Sequence, residues 1–245
     1  MRSRATDVIV DDAAAHHAAL DLLAGVAHDL RSPLTSILYL VESMQGNQVD
    51  LPTPLLKRQL GLVYSATYQL SMLVNDLTEL AHDGGLPLLE PKAVPLSLSA
   101  ILGAVHDLTR PVAEERGVAL CLVSDAADRR LGHPAALTRM LLNLVTNALR
   151  VTAEGHVEIR VTELAAESVA FSVSDSGPGI APEAMATLFD PFPDPARRGI
   201  SSTGLGLAIC RKLAQAMRSE LTVESRPGAG ACFRFVVELP ANASR

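Results

Sequence analysis

Residues 20–44 read LDLLAGVAHDLRSPLTSILYLVESM, and the apolar side chains in them keep one rhythm. Leu20, Leu23, Ala27, Leu30, Leu34, Ile37, Val41 and Met44 are spaced alternately by three and four residues. That spacing predicts a helix with a seam made for other helices. Gly46-Asn47 stops the run, and Pro52 and Pro54 mark a short loop. A second seam follows in Leu56, Leu60, Val63, Thr67, Leu70, Val74, Leu77 and Ala81, and it ends at Asp83-Gly84-Gly85. Residues 14–82 therefore read as a helical hairpin, preceded by a polar tail over 1–13. Two helices bury too little to stand alone, whereas two hairpins pairing into a four-helix bundle bury enough. A homodimer is the expectation; packing of the hairpin on its own C-terminal half is the alternative.

The bulk numbers narrow the classes. The chain has 245 residues, 48% of them hydrophobic but only 3% aromatic, so its core is aliphatic. A net charge of −6 argues against a nucleic-acid partner, which needs a basic face. Cys121, Cys210 and Cys232 lie far apart and suggest neither a zinc site nor a disulfide framework. No signal peptide is evident, and no apolar run reaches the roughly 18–20 residues of a membrane helix, so a cytoplasmic location without a membrane segment is expected.

Residues 83–95 contain LPLLEPKAVP, with three prolines and no periodicity, and read as a linker. After it the pattern changes. Helices are predicted at 97–116, 134–150, 182–189 and 204–218, and strands near 118–123, 156–163, 168–174, 220–225 and 231–239. This mixture over 96–240, before a short tail at 241–245, predicts an α/β sandwich of one sheet with helices on one face.

His28 follows the seam residue Ala27, at the edge of the apolar stripe, and should face solvent. A carboxylate at Asp29 suits the task of accepting an imidazole Nδ1–H and leaving Nε2 as the free lone pair. Pro33 removes the partner of the Asp29 carbonyl, so a bend is expected one turn after His28.

Three segments further on look like parts of one phosphate and purine site. In LLNLVTNALRVT, Leu141 to Thr152, Asn143 and Asn147 stand one turn apart and project on the same side of an apolar-faced helix. Asn carbonyl oxygens are suitable Mg²⁺ ligands, and Arg150 lies within reach of a phosphate. In DSGPGI, Asp175 to Ile180, a carboxylate at a strand end can accept a bond from an adenine amino group. Gly177 and Gly179 there let the backbone turn sharply beside a ligand. In STGLGLAIC, Ser202 to Cys210, Gly204 and Gly206 open a helix whose first N–H groups suit phosphate. Between the last two, PFPDPARRGIS (191–201) reads as a mobile loop whose Arg197 and Arg198 are either phosphate contacts or a solvated basic pair. A dinucleotide-binding reading of Gly204-Leu205-Gly206 fails because no strong strand precedes it, and no P-loop motif occurs.

Taken in order, these segments resemble sensor histidine kinases of two-component systems. HDLRSPL (28–34) resembles the H-box of the HisKA dimerisation domain; LLNLVTNALRVT resembles the N-box of the GHKL, or Bergerat-type, ATPase fold. DSGPGI resembles its G1 box, LFDPF (188–192) its F-box, STGLGLAI its G2 box, and SRPGAGACFRF (225–235) its final hairpin. The resemblance implies ATP and Mg²⁺ as cofactors. It implies His28 as the phospho-acceptor, activated by Asp29, with Ser32 placed to orient water for phosphatase activity toward the partner. It implies Asn147 as metal ligand with Asn143 beside it, and Asp175 at the adenine. The remaining pocket would be shaped by Arg150, Gly177, Gly179, Ile180, Phe192, Thr203, Gly204, Leu205, Gly206 and Leu207. The implied partner is the receiver domain of a response regulator, whose aspartate takes the phosphoryl group. A degenerate docking module without ATP turnover, and another GHKL ATPase, are the competing readings. Departures from the family pattern are His133 where Asp is common, Val151 where an aromatic is frequent, Ser202 for Gly, and Arg218-Ser219 for a Gly pair.

Overall fold

The computed structural model describes residues 26–27, 30–31, 33–43, 53–81, 89–190 and 205–242. Helix α1 covers residues 33–43, and α2 runs for 29 residues over Thr53–Ala81. The C-terminal unit then follows in the order β1 (Val94–Ser97), α3 (Leu98–Arg116), β2 (Val118–Ser124), β3 (Arg129–Gly132), α4 (Pro134–Val151), β4 (Gly155–Ala165), β5 (Ser168–Asp175), α5 (Pro182–Met185), α6 (Leu205–Ala216), β6 (Thr222–Ser225) and β7 (Ala231–Glu238). This is the expected helical segment followed by an α/β sandwich.

The main sheet has five strands in the order β2-β4-β5-β7-β6. The β2–β4 pair is parallel and the others antiparallel. Alternation decides which face is covered. On β4, Val157, Ile159 and Val161 are buried, while His156 before them and Arg160 among them are exposed and Glu158 is half-buried. Phe171 on β5 and Phe235 on β7 sit in register and stack at 5.0 Å between ring centroids. Against this face lie α3, α4 and α6. Leu137, Met140, Leu141, Leu144, Val145, Ala148 and Leu149 of α4 are all buried, so the helix sits at the centre of the core.

Three elements differ from the sequence reading: the strands β1 and β3 (Arg129–Gly132) lie where no strand is predicted, and one helix is shorter. The end of the supposed linker is β1, which pairs antiparallel with β3, Val94 opposite Gly132. Pro95 hides it, because a residue without an N–H reads as a strand breaker, yet a two-stranded ladder has a free edge to hold it. The predicted helix over 182–189 shortens to Pro182–Met185. The chain turns at residues 186–189, which brings Leu188 into the core and Phe189 against it.

Helix α2 also touches the C-terminal unit, against α3 and α6. Gly61, Ser65 and Tyr68 recur at helical spacing on this side. A Cβ at Gly61 would stand 2.9 Å from Pro111 Cγ of α3, Ser65 is buried, and Tyr68 packs on the main core. Burial also raises the pKa of the Tyr68 phenol. The alternative of hairpin-on-domain packing is thus realised for α2, but by a face other than the seam. The seam residues Leu34, Val41, Leu56, Leu60 and Val74 remain exposed. The expected bend at Pro33 involves Asp29, which lies outside the described residues.

Candidate functional site

Helix α4 carries the two amides. Asn143 Nδ2 donates to the Gly206 carbonyl at 3.5 Å, and Asn147 faces the same glycine, so both project toward the start of α6 as their spacing requires. A Cβ at Gly206 would lie 3.6 Å from Asn147 Nδ2, an ordinary contact. Packing therefore does not demand glycine there. Arg150 Nη2 donates to Asn147 Oδ1 at 2.9 Å, so a cation already sits on the amide oxygen expected to hold a metal.

Both ends of α4 are held from elsewhere. Arg116, at the end of α3, donates through Nη1 to the Leu149 and Arg150 carbonyls at 3.2 and 3.1 Å. These are among the last carbonyls of the helix, which have no partner within it. At the other end His133 occupies the N-cap position without a side-chain capping bond, and Glu90 accepts the Ala135 N–H at 3.0 Å instead. Sequence reasoning missed both contacts; each joins residues far apart in the chain and leaves no local signal.

Asp175 ends β5 and is 8% exposed. Burial pushes its carboxyl pKa up, while the N–H groups of Gly177, at 2.9 Å from Oδ1, and Ala231 pull it down. Beyond it the 175–180 loop is clamped by the β6–β7 hairpin. Ile180 N–H donates to Ser225 Oγ at 2.9 Å, and Gly228 N–H to the Pro178 carbonyl at 2.7 Å. Gly179 makes this closure possible: its φ is +71°, and a Cβ would stand 2.1 Å from the Arg226 carbonyl.

Between α4, this loop, α6 and β7 lies a partly open, mainly apolar cleft. Of the residues expected at a nucleotide, Asn147, Asp175, Gly179, Ile180 and Leu207 line it. Gly177 stands behind Asp175, where a Cβ would meet Oδ1 at 2.8 Å. Leu205 is buried in the packing of α6 and does not line the cleft. Ala231 and Phe233 line it without having been foreseen. Their signal is strand register: Ala231 pairs with Asp175 and Phe233 with Val173, on the inward positions of β7. Val151 also lines it, so the position where an aromatic is frequent is an aliphatic wall.

His28, Asp29, Ser32, Phe192, Thr203 and Gly204, together with the loop over 191–201, lie outside the described residues. Among the described residues no group of three or more His, Cys, Asp or Glu could hold a metal ion. No helix among the described residues is long and apolar enough to cross a membrane.

Comparison with known proteins agrees with this geometry. Residues 18–84 match the His Kinase A (phospho-acceptor) domain, and residues 132–242 the histidine kinase-, DNA gyrase B-, and HSP90-like ATPase. The chain is 33% identical over 235 residues to the sensor histidine kinase AruS of Pseudomonas aeruginosa, covering 92% of this chain and 23% of that protein. It is 35% identical over 222 residues to the sensor histidine kinase MtrB of Mycobacterium tuberculosis, covering 87% of this chain and 38% of that one. It thus spans well under half the length of these curated relatives. Among solved structures, full-length ShkA in complex with AMPPNP aligns with a TM-score of 0.61 at 29% identity, covering 91% of this chain and 46% of that chain. Histidine kinase ThkA in complex with the response regulator TrrA aligns with a TM-score of 0.57 at 26% identity, covering 97% and 64%. The chain belongs to the sensor histidine kinases, carrying their phospho-acceptor domain followed by their ATPase domain.

Proposed function

We propose that this chain binds Mg-ATP in the cleft between α4 and the 175–180 loop, phosphorylates its own His28, and passes the phosphoryl group to an aspartate of a response regulator. The observation that carries the reading is the pairing of two unlike polar groups in one apolar cleft. Asp175 offers a buried acceptor on one wall and Asn147 an amide on another, with Asn143 one turn before Asn147 and bonded to the Gly206 carbonyl. A purine between Ile180, Leu207 and Phe233 would place its amino group at Asp175 and its phosphates toward the amides and the start of α6. Asn147 Oδ1 would hold Mg²⁺, and Arg150, which now donates to that oxygen, would turn toward phosphate. The bound ion would neutralise charge on the phosphate oxygens.

The His28 Nε2 lone pair attacks the γ-phosphorus in line, the bond to the β,γ-bridging oxygen breaks, and ADP leaves. Asp29 takes the Nδ1 proton as the imidazole becomes a phosphoramidate. Positioning and charge neutralisation supply most of the rate. Ser32 is the residue we assign to orienting the water that hydrolyses the regulator's aspartyl phosphate to phosphate and free carboxylate. The ThkA–TrrA complex supports a receiver domain as partner, and the exposed seam of α1 and α2 supports a homodimer. Dependence on ATP supports a cytoplasmic site of action.

The test is incubation with Mg²⁺ and γ-labelled ATP beside His28→Ala and Asn147→Ala. Acid-labile, base-stable label on the parent and none on either variant is the expected result. Label that survives His28→Ala overturns the choice of acceptor; ATP binding without label on the parent favours a docking module.

A further inference from the structure

The register of β1 against β3 places Val94 opposite Gly132, and so brings the preceding residues of the linker beside the start of α4. There Glu90 uses both carboxylate oxygens. Oε1 accepts the Ala135 N–H at 3.0 Å, and Oε2 meets His133 Nδ1 at 3.2 Å. The two side chains are 27% and 21% exposed, and the neighbouring Leu89 packs on the core. Helix α4 has no acidic residue in its first turn and no side-chain cap of its own. Its first N–H groups and the positive end of its dipole require an acceptor. Glu90 delivers one from 45 residues upstream.

We propose that Glu90 is a positioning residue that fastens the linker after α2 to the first turn of α4. One carboxylate thereby does two tasks: it caps the helix that carries Asn143 and Asn147, and it ties that helix to the segment arriving from the hairpin. The helix is the lever. Asn147 stands twelve residues beyond Ala135, about 18 Å along a rigid axis. A shift of the linker is therefore felt at the amides. His133 serves the arrangement as the Nδ1–H donor that orients Glu90; an aspartate at that position would remove this donor and set a second carboxylate against Glu90 at the same helix start. The effect on nucleotide rests on the function proposed above; the clasp itself does not.

The test is a double-mutant cycle on the full chain with Glu90→Ala, His133→Asp and the two combined. Amide exchange across residues 134–147 and the affinity for a fluorescent ATP analogue are both read. Glu90→Ala should speed exchange at the start of α4 about two- to thirtyfold, the range set by losing a cap, and weaken the analogue. His133→Asp alone should also speed exchange, because two carboxylates then crowd one helix start. The double variant should return α4 to within about twofold of the parent, while exchange in the linker stays fast. This reversal of sign is not what a merely structural glutamate gives. If His133→Asp is neutral or protective in both backgrounds, or if Glu90→Ala leaves α4 unchanged, the proposal is wrong. A parent that binds no analogue defeats the nucleotide reading, and exchange still judges the clasp. Should Glu90→Ala fail to fold, Glu90→Gln, which keeps an acceptor oxygen without the charge, carries the same cycle with His133→Asp.

Discussion

Asp175 is the residue on which nucleotide affinity and pH should meet. Its carboxylate accepts most strongly from an adenine amino group when ionised, because protonation removes the charge and turns one of its oxygens into a donor. Burial raises its pKa, and the Gly177 and Ala231 N–H groups offset only part of that. The sign follows: a raised pKa means that the group gains its proton at a higher pH than an ordinary aspartate does. Affinity for ATP should therefore fall on acidification while exposed carboxylates are still ionised. The same shift gives a stability term of opposite direction. Keeping Asp175 charged in the folded state opposes folding above its folded pKa, and this penalty fades as pH falls through that value. Asp175→Asn should flatten the acid limb of binding and lower affinity at neutral pH by about tenfold, the scale of one charged-group hydrogen bond. Titration of analogue binding against pH for parent and variant measures both; an acid limb of equal steepness in the variant would assign it to another group.

At the scale of elements, the informative contact is the one between α2 and α3. Proline within a helix removes a hydrogen bond and costs about 3 kcal/mol where nothing offsets it. Pro111 lies inside α3 and is buried, with its ring against Gly61, whose missing side chain admits it. Gly61→Leu should improve the intrinsic propensity of α2 by nearly 1 kcal/mol and yet push it off α3. Amide exchange should then quicken over residues 98–116 while α2 itself stays protected. Gly61→Ala with Pro111→Ala should be tolerated, since the remaining Pro111 Cβ is 3.5 Å from the added carbon. Unchanged protection of α3 in Gly61→Leu would show that the contact does not hold the two elements together. Neither partner was legible as a contact beforehand. The seam of α2 was readable because Leu and Val repeat at fixed intervals, and so were α4 and the inward positions of β4 and β5. The site segments were legible because glycines, amides and a carboxylate fall in one order. What could not be read joins distant residues without periodicity: Pro111 on Gly61, Glu90 on α4, Arg116 on the α4 carbonyls. The buried Arg130 belongs with them, reaching the carbonyls of Ala127, Ala166 and Leu239 and the carboxylate of Glu163. The strand β1 was lost for a related reason, because Pro95 carries a local signal that its pairing overrides.

For the whole molecule, the question is what covers the seam. Helix α2 meets its own catalytic unit through Gly61 and Tyr68, on a side distinct from Leu56, Leu60 and Val74. Those seam residues are 38%, 53% and 49% exposed, and Leu34 and Val41 of α1 are 47% and 36% exposed. One chain thus satisfies one face of its hairpin and leaves a heptad stripe in water. Each Leu or Val side chain fully buried contributes roughly 1.5–3 kcal/mol, and a two-fold partner doubles the set at one stroke. A second copy of the hairpin matches the stripe in spacing and composition, as a four-helix bundle requires. The parent should sediment as a dimer at micromolar concentration, and Leu60→Glu with Val74→Glu should sediment as a monomer. The cleft is built from residues 147–233 alone, so the monomer should bind the ATP analogue within about twofold of the parent if the catalytic unit keeps its fold. Its labelling rate discriminates further. A histidine reached only across the bundle would lose its label together with the dimer, whereas one reached within its own chain would keep it. A parent that sediments as a monomer, or a double variant that remains dimeric, would place the interface elsewhere on the chain.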